Sequence, residues 1–469
     1  MIFIYSALFS LIFSCFAFIF IKIYQLENYK LKKYIKNIAK FNFCFGNKTK
    51  LKFTKRVCRL IFGNFVILFI IFIVFLKKIV IFWQIFTIFI VFFAIFPYFL
   101  IISFVIMLPI EKTIKNLFIL RAKRKLRKCT CKKIGITGSF GKTSTKNILY
   151  QILSEEFDVC ATPKSFNTPM GVCKTVLENL RETDDFFIVE MGARQSGDIE
   201  FLSKFVGIDF GIVTPIGECH LETFGNVENI ENTKYELCEN TDIVFFNGKS
   251  KSTKKLYERY GRKKYLLCDK KGFSYAKNIQ SNENGSTFEL VINKEELKCN
   301  TKLLGKVNID NIVVAASVAY ILGESLVCIK DAIEKVKPAA HRLELIKGYV
   351  NVIDDSFNSN FDGFVEALNV LKKIKGRKIV VSPGMVELGK LQDEKNYEIG
   401  QKIASVCDFF VIMNETNRKN LSNGAKNGGL SSDKIFYAKT REEQQKILKS
   451  IIQKGDVILF ENDFPDNIR

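Results

Sequence analysis

Apolar residues are distributed along this chain in two different ways. Up to about residue 110 they form long runs. Residues 2–21 are almost wholly apolar and uncharged, 61–76 (IFGNFVILFIIFIVFL) make a second run, and 79–110 a third, which holds the only tryptophan, Trp83, and Pro97. About 20 consecutive apolar residues match the thickness of a bilayer core. The pattern therefore predicts about three transmembrane helices, with Lys77 and Lys78 in a tight turn before a last span that is long or broken. No basic segment precedes residues 2–21, so a cleaved signal peptide is not expected.

From Lys132 the runs shorten and alternate with helical segments. KKIGIT (132–137), FFIVEMG (186–192), FGIVTPIG (210–217) and DIVFFNG (242–248) read as buried strands. Residues 264–305 read as β-rich, followed by helices over 308–322 and 327–336. A second unit opens near Pro338, with strands at VNVID (350–354), RKIVVSP (377–383), DFFVIMN (408–414), KIFYA (434–438) and DVILF (456–460). Strands alternating with helices predict an α/β fold with mostly parallel sheets, covered by helices on both faces.

Charge sharpens the first part of this picture. Residues 1–133 hold 24 Lys and Arg against only Glu27 and Glu111, which accounts for the whole net charge of +22; the remainder is formally neutral. The basic stretches 22–60 and 111–133 both belong on the cytoplasmic side of a membrane by the positive-inside rule. Three spans satisfy this with the N-terminus outside; a fourth would misplace one basic stretch. The expectation is a multi-pass protein of the cell membrane, in contact with membrane lipid, whose later domains are cytoplasmic. A nucleic-acid partner is not expected, because such a binder carries its charge on the folded domain. The 13 cysteines are scattered, and Cys129–Cys131 is a lone C-x-C without a second pair at zinc spacing, as in a reducing compartment.

The strongest chemical signal is Gly135-Ile136-Thr137-Gly138-Ser139-Phe140-Gly141-Lys142-Thr143-Ser144, which follows a strand and opens a helix. Glycines let the backbone approach phosphate closely, and the helix N-terminus attracts it. Lys142 adds a compact charge for the β/γ-phosphates, and the Thr143 hydroxyl suits Mg2+. Ile136 stands where the strict motif has its first glycine. Glu190 ends an apolar strand, at the sheet edge where ligands sit in such folds. His220, one of two histidines, can hold a divalent ion as a neutral imidazole. Asp354–Asp355, read alone, is either a ligand-facing pair or a solvated turn.

These segments, in this order, resemble the Mur ligase superfamily, which includes folylpolyglutamate synthase and the peptidoglycan peptide ligases. KSFNTPMG (164–171) resembles its asparagine loop, VEMGA (189–193) its metal-binding glutamate strand, and TPIGECHLETFG (214–225) its His-Leu-Glu segment. ENTKYEL (231–237) resembles the segment with a carbamylated lysine, LLGKVNIDN (303–311) the Gly-x-x-Asn-x-x-Asn motif, and HRLE (341–344) the interdomain arginine. DDSFNSNFDG (354–363) and GMVELG (384–389) are most similar to the branch that acts on UDP-N-acetylmuramoyl tripeptide and D-alanyl-D-alanine.

The resemblance implies three parts: a membrane region over 1–133, a central ATP-binding domain over 134–337 and a Rossmann-like C-terminal domain over 338–469. It implies an ATP-dependent ligase of peptidoglycan precursor synthesis. Such an enzyme phosphorylates a carboxylate to an acyl phosphate and joins it to an amine, here D-alanyl-D-alanine onto a UDP- or lipid-linked muramoyl peptide. ATP would meet Gly138, Ser139, Gly141, Lys142, Thr143, Ser144, Asn308, Arg342 and Asp355. Mg2+ would meet Thr143, Glu190, His220 and a carbamylated Lys234, so that Lys142, Lys234, His220 and Arg342 carry the catalysis. Asn167, Thr168, Asn358, Asn360 and Glu387 would face the substrates. The usual soluble UDP-binding domain is missing, Phe361 replaces a common proline, and ENDFPDNIR lacks the common Lys-Gly-Ser. A membrane-bound poly-γ-glutamate-type ligase, a membrane-transport ATPase and an inactive nucleotide-binding scaffold are the alternatives. The DDSFNSN and GMVELG segments speak against the first, the uncharged spans against the second, and Lys142, Glu190, His220 and Lys234 together against the third.

Overall fold

The computed structural model describes residues 51–76, 82–219, 221–260, 264–357 and 359–462, with scattered positions over residues 7–35. It divides into two compact units, one up to Phe118 and one from Ile119.

In the first unit, Lys55–Leu76 and Phe82–Lys128 are helices, and the second runs unbroken through Pro97 and Pro109. Among the described residues no helix is long and apolar enough to cross a membrane. The expected three-span region is therefore not borne out, and with it fall the multi-pass membrane location and membrane lipid as a partner. The span expected over 2–21 lies largely outside the described residues, as do Lys77 and Lys78. The physical reason is visible where the side chains are described. The run 61–76 continues a first turn of Lys55, Arg56 and Arg59, and Arg59 pairs with Glu111 through Nε at 2.7 Å. These sixteen residues cover roughly 24 Å, short of a bilayer core of about 30 Å. Part of the apolar surface is turned inward instead: Tyr24 stacks on Phe104 at 4.2 Å, amid buried Val57, Leu60, Leu68, Leu100 and Met107.

The second unit holds three sheets. Strands β1 (Lys132–Thr137), β2 (Val159–Ala161), β3 (Phe186–Glu190), β4 (Phe210–Val213), β5 (Ile243–Asn247) and β6 (Tyr265–Cys268) form a parallel sheet in the order β2-β3-β1-β4-β5-β6. Side chains alternate between its faces: Phe186 and Ile188 join one core with Ile134 and Ile136, while Phe187 and Val189 join the other with Val213 and Val244. Burial on both faces explains why these strands read as continuous apolar runs. Next come β7 (Ser274–Asn282), β8 (Gly285–Ile292) and β9 (Glu295–Thr301), an antiparallel meander, and helices over Lys306–Ile321 and Leu326–Lys335.

The last sheet contains β10 (Glu344–Ile346), β11 (Asn351–Asp355), β12 (Lys378–Ser382), β13 (Phe409–Met413), β14 (Ile435–Ala438) and β15 (Val457–Glu461), in the order β10-β11-β15-β12-β13-β14. Only β10 runs antiparallel. Every strand predicted from the sequence is present; β2 and β10 are short additions at the sheet edges. In the first sheet β1 has β3 on one side and β4 on the other, so the chain turns opposite ways from β1 and a crevice opens at the strands' C-terminal ends.

Glu324 lies between the two helices after the meander, 2% exposed, and neither carboxyl oxygen has a hydrogen-bond partner. Burial, then the charges of Glu156 and Glu155, push its carboxyl up to about 7. A folded-state pKa above the unfolded value favours the folded state only when the group is protonated. The penalty is thus complete above about pH 7 and is relieved as pH falls toward the unfolded carboxylate's range. Glu324→Gln is expected to stabilise the protein by about 1–3 kcal/mol above pH 7 and by much less near pH 5. Denaturant unfolding at the two pH values checks this; an equal effect at both would show that ionisation is not the cause.

Candidate active site

The site begins where β1 meets the helix Lys142–Leu153, whose N-terminal residue is preceded by Gly141 at φ 76°. Gly138 has φ 140°, and a Cβ there would stand 2.1 Å from Thr214 Oγ1, so only glycine fits. The loop is strapped to the segment after β4: the amides of Ser139 and Phe140 both donate to Pro215 O at 3.0 and 3.1 Å, and Ser139 Oγ donates to Gly217 O at 3.1 Å. Lys142 Nζ donates to Gly138 O at 2.7 Å and Ser139 O at 2.9 Å. Burial lowers the Lys142 pKa, while Glu190 opposes that shift. Ser144 lies half-buried in the first helical turn.

Glu190, the last residue of β3, is 1% exposed. Three side chains converge on it. Thr143 Oγ1 and Lys146 Nζ each donate to Oε2 at 3.0 Å, and Asn167 Nδ2 donates to Oε1 at 3.1 Å. Burial pushes the Glu190 carboxyl up, but the Lys146 and Lys142 charges and these hydrogen bonds outweigh it and leave it below the usual carboxylate range. Lys146 also donates to Lys164 O, tying the asparagine loop to the helix. Gly192 N donates to Asn167 O at 2.9 Å, and a Cβ on Gly192 would stand 2.7 Å from Asn167 Cγ. Thr168 caps the helix Pro169–Glu178, accepting from Gly171 N at 3.3 Å.

Lys234 is 3% exposed on the helix Val227–Glu239, its Nζ 5.8 Å from the Phe224 ring. Burial and then the neighbouring Lys142 ammonium push it down to about 8. Two residues on, Glu236 locks this helix in place. Its Oε1 accepts from Gly197 N at 2.7 Å and its Oε2 from Glu200 N at 3.0 Å, at the start of the helix Asp198–Val206.

The last sheet and the segment leading into it send their own residues to the same cleft. Arg342 lies between His341 and Leu343, both at positive φ (62° and 48°), with its guanidinium 4.5 Å from the Phe357 ring. Burial lowers the Arg342 pKa, while Asp355, Glu190 and Glu461 raise it. Asp355 Oδ1 accepts from Leu343 N at 3.3 Å, and burial pushes this carboxyl up to about 6 despite Arg342. Thr143, Lys146, Lys164, Arg342 and Phe357 also line a cavity of ≈ 730 Å³ that runs past β2.

The remaining predicted residues are placed as follows. Asn308 is buried and donates to Leu304 O at 2.9 Å, within its own helix start. Asn360 caps the helix Phe361–Lys373 by accepting from Gly363 N at 2.9 Å. Glu387 is half-buried at φ 65° in the loop after β12. His220 and Asn358 lie outside the described residues. Among the described residues no group of three or more His, Cys, Asp or Glu gathers at metal-holding distance. The hard oxygens of Thr143 and Glu190, beside Lys142, nevertheless suit Mg2+. Sequence reasoning missed Lys146. The signal was available: a second lysine one helical turn after Lys142 shares its face.

Lys146→Ala is expected to destabilise the fold by about 2–4 kcal/mol, because it strands a buried carboxylate. Adding Glu190→Gln should recover most of that loss in denaturant unfolding. Strict additivity of the two changes would show that the pair does not couple.

Residues 136–319 match the Mur ligase middle domain, and residues 341–461 match the Mur ligase, glutamate ligase domain. The UDP-N-acetylmuramoyl-tripeptide–D-alanyl-D-alanine ligase of Buchnera aphidicola subsp. Baizongia pistaciae is 30% identical over 264 residues, covering 55% of this chain and 57% of that protein. The protein of the same name from Bacillus subtilis is 26% identical over 353 residues, covering 72% and 74%. The crystal structure of MurF ligase from Thermotoga maritima in complex with ADP superposes with a TM-score of 0.66 at 25% identity, covering 74% of this chain and 80% of that one. This chain thus spans little more than half of the Buchnera protein and about three quarters of the Bacillus one. With a phosphate loop, a glutamate-ended strand and a returning arginine all set within those two matched domains, the chain belongs to the Mur ligase family of ATP-dependent, ADP-forming ligases.

Proposed function

We propose that this chain uses ATP to activate the terminal carboxylate of a UDP-linked muramoyl tripeptide and joins it to D-alanyl-D-alanine, releasing ADP and phosphate. The observation that carries the reading is the convergence of Lys142, Thr143 and Glu190 with Arg342 and Asp355 from the region of the last sheet. The names of the Buchnera and Bacillus relatives support the choice of substrates.

In this reading residues 134–337 bind the nucleotide and residues 338–469 bring the amine. An oxygen of the acceptor carboxylate attacks the γ-phosphorus and the bond to ADP breaks. The amine nitrogen then attacks the acyl carbon, the bond to phosphate breaks, and an amide forms. Lys142 and Arg342 offset the charge on the transferred phosphoryl group. Gly138, Ser139, Gly141 and Ser144 place backbone and hydroxyl groups around the phosphates, and Asn308 lies toward the adenine. The basic lining of the ≈ 730 Å³ cavity, from Lys146, Lys164 and Arg342, suits the acceptor's carboxylates. Asn167, Thr168, Asn358, Asn360 and Glu387 border the substrates.

Mg2+, when bound, would neutralise phosphate charge, held by Thr143, Glu190 and the modified Lys234, with His220 as a further ligand. Lys234 suits carbamylation, because a lysine with a pKa of about 8 presents its neutral amine to CO2 in quantity near neutral pH. The product is an anion, so its repulsion from Lys142 becomes attraction.

ADP release with UDP-muramoyl tripeptide, with and without D-alanyl-D-alanine, tests the reaction; release that ignores both compounds would defeat it. Lys142→Ala should lower kcat at least about a hundredfold. Lys234→Ala should be nearly inactive and partly restored by a short carboxylic acid. Full activity without that addition would remove Lys234 from the site.

A further inference from the structure

Glu461 is the last residue of β15 and is 1% exposed. In the parallel β11–β15 pair it stands opposite Asp355, so two carboxyl groups leave neighbouring strands at the same level. Each has one anchored oxygen. Ser359 Oγ donates to Glu461 Oε1 at 2.6 Å, and Leu343 N donates to Asp355 Oδ1 at 3.3 Å. The other oxygen of Glu461 is buried without a hydrogen-bond partner. The strand end is itself fixed: Asn462 N donates to Asp355 O at 3.2 Å, and Asn462 Nδ2 donates to Gly384 O at 2.6 Å. The carboxyl groups therefore cannot drift apart.

Two adjacent buried carboxylates cannot both ionise without a large penalty. The charged groups facing them are Arg342, which acts on both, and Asp354, which is held by His341 at 2.8 Å and by Ser356 Oγ at 2.6 Å. Arg342 also feels the charge of Glu190. With both carboxyls ionised, the pair would draw the guanidinium away from Glu190; with both neutral, it would release it. One proton on the pair leaves one negative charge against one positive charge.

We propose that Glu461 is a positioning residue for Arg342: it shares a single proton with Asp355, and the pair holds the guanidinium in the cleft facing Glu190. The proposal rests on the reading above only in making the place of Arg342 matter for phosphoryl transfer. Burial pushes both carboxyls up, Asp355 to about 6 and Glu461 further, with Asp355 adding to the rise at Glu461.

Infrared spectroscopy and kinetics on the full chain test it. Near pH 8 the wild type should show the carbonyl band of a protonated carboxylic acid, lost in both Glu461→Gln and Asp355→Asn. Absence of the band in the wild type, or its persistence in both variants, overturns the proposal. The acid limb of the kcat profile for ADP release should move up in Glu461→Gln, because an amide donates a weaker hydrogen bond to the ionised Asp355 than the Glu461 carboxylic acid does. A merely structural role would scale the profile without moving the limb, and that outcome also overturns the proposal. Thermal unfolding of each variant confirms that it is folded. If the wild type releases no ADP with the substrates named above, the proposed reaction fails, while the infrared arm still decides the shared proton.

Discussion

A carboxylate removed from water stays charged only where cations and donors replace its hydration, and Glu190 is the place where this fold meets that demand. Its desolvation costs several kcal/mol if unanswered. Lys146 and Thr143, from the phosphate-loop helix, and Asn167, from the asparagine loop, answer it. The requirement propagates outward. Asn167 must come close, so the segment just after β3 needs Gly192. Thr143 must face β3, so the phosphate-loop helix starts directly over the strand ends. Lys146 reaches both Glu190 and the Lys164 carbonyl, which clamps the asparagine loop between helix and sheet.

Much of this was legible in the sequence because the signals are local. A glycine-rich turn between strand and helix, and apolar runs bounded by charged residues, follow from backbone sterics and two-sided burial. Lys146 was not legible in the same way. On a helix otherwise rich in polar residues, one more lysine reads as a solvated side chain until Glu190 is placed beneath it. Glu461 carried the same mark as Glu190, an acid closing an apolar strand. Its meaning depends on β15 lying beside β11, a pairing between segments about a hundred residues apart.

The N-terminal expectation failed for a different reason. Composition reports how much apolar surface a segment has, not what covers it. Among the described residues, the apolar faces of the first unit meet each other around Tyr24 and Phe104, and Arg59 is paired with Glu111. Basic flanks and apolar runs satisfy the statistics of a membrane protein, yet they also satisfy a packed helical unit whose cations are partly paired. Among the described residues, no helix is both long and apolar enough to cross a membrane.

The link between the sheets shows where strain is tolerated. His341 and Leu343 both adopt positive φ, a conformation that costs non-glycine residues about 1–3 kcal/mol each. Each is tied down by an aspartate of β11: His341 Nδ1 lies 2.8 Å from Asp354 Oδ2, and Leu343 N donates to Asp355. Arg342, between them, is thereby turned from the chain's natural path into the cleft. The two aspartates hold the backbone on either side of the arginine, and Asp355 also opposes its charge. A substitution at Asp355 therefore disturbs backbone and electrostatics together, whereas Glu461 acts on the charge while leaving the backbone hydrogen bonds of the link untouched.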